Sequence, residues 1–115
     1  MTTSKLEKTA WSGYFDQISK TLDGKRAEIE VSSLDIGDQI EAEWLPLHGI
    51  VYDRKNDIIE VVLEGLDHII HKPQEVYVDY DVSGLTSLEV INDDDIRQIV
   101  RLRDPLMLSA PSVGG

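Results

Sequence analysis

The sequence predicts an α+β fold: one N-terminal helix packed on a curved, mainly antiparallel sheet of about six strands. Three observations predict it. Apolar residues recur at helical spacing between Leu6 and Leu22. From Arg26 onward the period falls to two, in short alternating runs separated by turn sequences. The 115 residues, 41% hydrophobic, suffice for a single core but not for two. A sheet of that many strands can coil into a partly closed SH3-like or Sm-like barrel, and the sequence leaves open sheet and barrel as alternatives. The domain is expected over residues 1–108, with 109–115 a flexible tail of small residues.

The elements follow in order. Ser4 and Glu7 have capping-box spacing, which predicts a helix over 5–22. Ala10, Trp11, Tyr14, Phe15, Ile18 and Leu22 form its apolar face, and Gly24 can end it. Ser12-Gly13 weakens its first part, so a start only after Trp11 stays open. Ala27, Ile29 and Val31 alternate with Arg26, Glu28 and Glu30 as the first strand. Ile40, Ala42 and Trp44 alternate with Gln39, Glu41 and Glu43 as the second, which is expected to stop or bulge at Pro46. A bend at 47–49 leads into a third strand, Ile50 to Asp53, and Arg54 to Asp57 make a hairpin turn. Ile58 to Glu64 is apolar on both faces and reads as a central strand. After a turn at Gly65 come a short apolar piece, 68–71, and a strand over 75–81. A last hairpin, 85–91 and 96–103, turns at Asn92 to Asp95, and Pro105 marks the end of regular pairing.

Composition excludes several functions. No cysteine is present, which rules out disulfides, zinc–thiolate sites and a cysteine nucleophile and fits a reducing, cytoplasmic setting. The first residues lack the apolar stretch of a secretory signal, and no run approaches the length of a membrane helix. A net charge of −11 disfavours binding to nucleic acid and to anionic membranes. It favours a basic protein partner or a cation, alongside its plain role in solubility.

From Glu41-Ala-Glu-Trp-Leu-Pro-Leu-His-Gly-Ile-Val-Tyr-Asp, through Gly65-Leu-Asp-His-Ile-Ile and Pro73, to Arg101-Leu-Arg-Asp-Pro-Leu, the chain resembles a family of small bacterial proteins of unknown function. The resemblance covers about Trp11 to Leu108 and implies a compact, soluble, stand-alone bacterial domain. It assigns no activity and therefore no catalytic residue. The family pattern has a glycine in the turn near Asp93-Asp-Asp-Ile, which is absent here.

Each candidate site has a simpler structural counterpart. His68 and His71 beside Asp67 suggest a metal site, but residues three apart in a strand face opposite ways, and His48 is distant in sequence. Local hydrogen bonding is the preferred reading, so no metal and no cofactor are assigned. The acidic loop 92–95 lacks the glycine and glutamate of a calcium loop. Glu28 with Glu30, Glu41 with Glu43 and Glu60 with Glu64 are expected on solvated faces, without the desolvated cleft that separates catalytic pKa values. Arg97, Arg101 and Arg103 are expected to pair with glutamates across the sheet. Trp44 beside Pro46 can shape a shallow pocket rimmed by His48 and Tyr52, although alternation with Ile40 and Ala42 places it in the core beneath the helix.

The functional expectation is a non-enzymatic protein-interaction or regulatory module with an acidic surface. It would bind a basic partner, or a second copy of itself, through Glu41, Glu43 and the Trp44 region, with His68 nearby. A small-molecule site at Trp44, His48 and Tyr52 is the alternative. An enzyme would need His48 or His68 against a buried carboxylate such as Asp53 or Asp67; no catalytic residue is assigned.

Overall fold

The structure is a computed structural model describing residues 2–22, 24–35, 37–82 and 84–104. It has one α-helix, α1 (Trp11–Leu22), and eight strands: β1 (Thr2–Leu6), β2 (Arg26–Ser33), β3 (Gly37–Asp53), β4 (Ile58–Leu63), β5 (Leu66–His71), β6 (Pro73–Asp81), β7 (Gly84–Asn92) and β8 (Arg97–Arg103). All neighbours pair antiparallel, in the order β1-β6-β7-β8-β2-β3-β4-β5. The fold class is α+β as expected, with eight strands rather than six, and the sheet does not close. It does curl: His68 on the edge strand β5 hydrogen-bonds Gln98 on β8, four strands away in the sheet order.

The N-terminal expectation needs correction. Residues 2–6 are not the start of a helix but the edge strand β1, paired from Thr2↔Tyr80 to Leu6↔Val76. Ser4 pairs with Val78 and caps nothing. A 3-10 turn over Lys8–Ala10 then leads into α1 at Trp11. Pairing with β6 engages the backbone of Thr2 to Leu6, and that tertiary gain outweighs a capping box worth about 1 kcal/mol. Trp11, Phe15 and Leu22 are buried on the inner face of α1, each contributing roughly 1.5–3 kcal/mol. The Trp11 and Tyr52 rings pack edge to face with centroids 5.1 Å apart, and the Tyr14 hydroxyl reaches that of Tyr80.

Pro46 does not end a strand. β3 continues through it for 17 residues, changes partners there, and has an irregularity just beyond, between Leu47 and Gly49. Gly37 to Pro46 pair with β2, and Leu47 to Asp53 pair with β4. Pro46 has no N–H to lose, and its carbonyl accepts from Glu64 N at 2.9 Å. Beyond the switch, the side of β3 turned away from β4 meets the helix. There Ser19 Oγ donates to Ile50 O and accepts from Ile50 N, both at 3.0 Å.

The short apolar piece after Gly65 is a full strand, β5, joined to β4 by the two-residue turn Glu64-Gly65. Gly65 has φ +76°, the left-handed region that such turns use. β4 is internal, with Ile59, Val61 and Leu63 buried, but the middle of the sheet lies at β8 and β2. The last hairpin turns as expected. Asn92 is buried there, and its Oδ1 accepts from the N–H groups of Asp94 and Ile96. The end of pairing at Pro105 and the 109–115 tail lie outside the described residues. No helix among the described residues is long and apolar enough to cross a membrane.

Candidate interaction surface on the bulged third strand

The register between β2 and β3 slips twice within four residues. Ala27 faces Leu45, Ile29 faces Ala42 and Glu30 faces Ile40, so β3 carries one extra residue at Glu41 and another at Glu43–Trp44. Each bulge moves the residues after it to the other face of the sheet. The expected alternation therefore fails. Ala42 is buried, whereas Ile40 is 50% exposed and Trp44 is half-buried on the outer face. Trp44 does not fill the core beneath the helix; Trp11 does.

The second bulge is strained. Trp44 has φ 51°, a conformation that costs a non-glycine residue on the order of 1–2 kcal/mol. Arg103 offsets part of this by laying its guanidinium 4.0 Å from the centre of the indole. Arg26 adds a hydrogen bond from Nη1 to Trp44 O at 3.0 Å. Glu41 and Glu43, the bulged acids, are exposed. No strand among the described residues pairs with β3 between Gly37 and Trp44 on its other side. Bulges and charge are the features that keep an open edge from pairing with a foreign strand, so this edge offers side chains rather than backbone.

The arginines divide. Arg97 pairs with Glu89 at 2.5 Å, and Arg101 bridges Glu28 at 2.9 Å and Glu30 at 2.8 Å. Those contacts, led by Glu30, hold the Arg101 pKa above its ordinary value. Arg103 departs from the expected pairing and takes the indole instead of a carboxylate.

Trp44, His48 and Tyr52 do not share a pocket. Tyr52 is buried, and its hydroxyl donates to Asp57 at 3.0 Å. Burial, then that carboxylate, push its pKa up. His48 is exposed and lies 3.2 Å from Glu64, at a groove between α1 and β3 lined by Asp16, Ser19, Lys20, Gly49, Val51 and Val62. His68 faces inward to Gln98, and His71 points outward and is exposed. The three histidines are thus apart, and among the described residues no three His, Asp or Glu side chains form a group able to hold a metal.

Among the described residues neither His48 nor His68 meets a buried carboxylate. Asp53 accepts from the side chain and N–H of Asn56 and from the N–H of Lys55, which lowers its pKa. Asp67 stands beside Glu60 on the outer face of β4 and β5, and its proximity raises the Glu60 pKa. Sequence reading missed Gln98, Ser19 and Arg26. Gln98 holds an inward position of a strand and could have been flagged as a polar residue at a core parity. Ser19 and Arg26 carry no such mark, because their partners are backbone groups far along the chain.

The architecture defines an α+β domain: one helix across an open, curled antiparallel sheet whose third strand is bulged and exposed. Comparison with known proteins places it further. Residues 2–111 match the family described as "Family of unknown function (DUF5335)", and the chain belongs to it. It is also similar to an "Uncharacterized protein" of Aquifex aeolicus (strain VF5), with 38% identity over 109 residues, covering 94% of this chain and 98% of that one. No solved structure matches.

Proposed function

We propose that this domain is a non-enzymatic interaction module that engages a basic protein partner through Glu41, Glu43 and Trp44. One observation carries the reading: two successive bulges, one with a tryptophan in the left-handed region, turn these side chains outward from an unpaired stretch of β3. Backbone strain at a bulky residue persists where its surroundings over-determine it, and such places cluster at functional surfaces. Exposed carboxylates on a chain of net charge −11 steer a cationic partner, and tryptophan is a frequent interface anchor. The cytosol is taken as the compartment on the sole ground that the sequence has no cysteine.

The small-molecule alternative loses Tyr52 and Trp44 as pocket walls and keeps only the groove at His48. A second copy of the chain is the remaining occupant, through the terminal strands β1 or β5.

The test is partner capture on immobilised protein at low and moderate salt, beside a Glu41→Lys, Glu43→Lys variant. The reading expects a stoichiometric basic partner that salt releases and the variant fails to hold. Equal capture by the variant, or self-association as the sole outcome, would count against it.

A further inference from the structure

We infer that Arg26 and Arg103, roofed by Trp44, form an oxyanion-binding site, for a carboxylate or a phosphate. The two arginines are direct cross-strand partners on the outer face of β2 and β8. Like charges directly opposite in a sheet are unfavourable, and proteins normally place an acid between them. One row away this is done fully: Arg101 holds both Glu28 and Glu30. Arg26 and Arg103 have no carboxylate among the described residues, in a chain with 22 acidic and 11 basic side chains.

Their solvation is also incomplete. The Nε atoms of both arginines are buried and have no hydrogen-bond partner among the described residues. A buried unsatisfied donor is costly, more so on a charged group, so the guanidinium charge of each arginine is only partly compensated from within the protein. Trp44 contributes to this burial by covering the Arg103 guanidinium. The roof also shields one face of the Arg103 guanidinium from water, which strengthens attraction for an anion that reaches the outer nitrogens. A guanidinium fork matches the planar oxygens of a carboxylate or the face of a phosphate. Arg26 is already oriented by its bond to Trp44 O, so a ligand need not fix its rotamer. The site borders the proposed basic-partner surface at Trp44 but depends on the arginines and not on Glu41 or Glu43.

The test titrates the whole protein with sodium phosphate and, separately, sodium acetate, following the arginine Nε and tryptophan indole NMR signals. Sodium chloride at matched ionic strength is the reference. The expected result is a saturable shift of the Arg26, Arg103 and Trp44 signals, with Trp11 unmoved. Arg103→Gln should weaken binding at least tenfold, Arg103→Lys should weaken it while keeping the charge, and Arg101→Gln should leave it intact. Saturation by phosphate alone would assign a phosphate site, and by both anions a general oxyanion site. Glu41→Lys with Glu43→Lys should bind the anion at least as well, so loss of partner capture does not touch this result. A linear shift shared with chloride, or equal binding by Arg103→Gln and wild type, would overturn the proposal.

Discussion

Replacing Ser19 with alanine tests how the helix is fixed to the sheet. At Ile50, β3 has left β2 behind, so one side of its backbone has no strand partner. The Ser19 hydroxyl supplies both missing bonds, one donated and one accepted, each at 3.0 Å. Ile50 itself is fully buried. Each hydrogen bond contributes a net of about 1 kcal/mol, and a buried group left unpaired costs about 1–3 kcal/mol. Ser19→Ala should therefore destabilise by about 2 kcal/mol, with about 6 as the upper bound if both Ile50 groups stay unpaired and no water enters. For a domain of this size that lowers Tm by roughly 8 °C or more. Gly49→Ala is the matched control. Its added carbon would sit 3.6 Å from Ser19 Oγ, ordinary contact distance, and Gly49 is not in the left-handed region. The control should be neutral or stabilising by about 0.5 kcal/mol through loss of unfolded-state freedom. Urea denaturation by circular dichroism reads both. A Ser19→Ala loss below about 0.5 kcal/mol at unchanged m would refute the claim that this hydroxyl replaces a strand.

Two further predictions concern the two tryptophans and the Glu60–Asp67 pair. Trp11→Ala should cost about 3–5 kcal/mol, whereas Trp44→Ala should cost about 1 kcal/mol or less, because Trp44 is half-buried and loses chiefly the Arg103 contact, the left-handed cost being the same for alanine; parallel urea melts decide, and equal losses would return Trp44 to the core. Glu60→Gln should raise stability at neutral pH, where the Glu60–Asp67 contact sets two carboxylates together; the raised Glu60 pKa means folding takes up a proton, so wild-type stability falls as pH rises from the unfolded value through the folded one. Melting temperatures of both proteins across pH 3–8 should converge at the acid end, and a constant offset would show that the pair does not titrate as described.

Local sequence was enough wherever an element's partners lie close in the chain. The 92–95 turn, the β7–β8 hairpin and the period-two strands follow from residues within a few positions of one another, since turn chemistry and alternation are local. The helix from Trp11 follows from its apolar face. The segment before it does not: Ser4 and Glu7 satisfy a helix cap, but β6, some 70 residues on, offers a whole ladder of backbone bonds. Composition also fixed what the chain cannot use, because cysteine chemistry needs cysteine.

Tertiary structure alone decided the face of Trp44. Alternation assigns a side from parity, and a bulge resets parity without leaving a mark in the letters. The glycine that commonly marks such a bulge is absent; the position holds tryptophan, stabilised by arginines from strands that begin 18 residues before it and end 59 residues after it. The same applies to His68, whose partner Gln98 comes near only because the whole sheet curls. Sequence determined the parts and their local geometry; the long-range pairings set the register, and the register chose which side chains face solvent together.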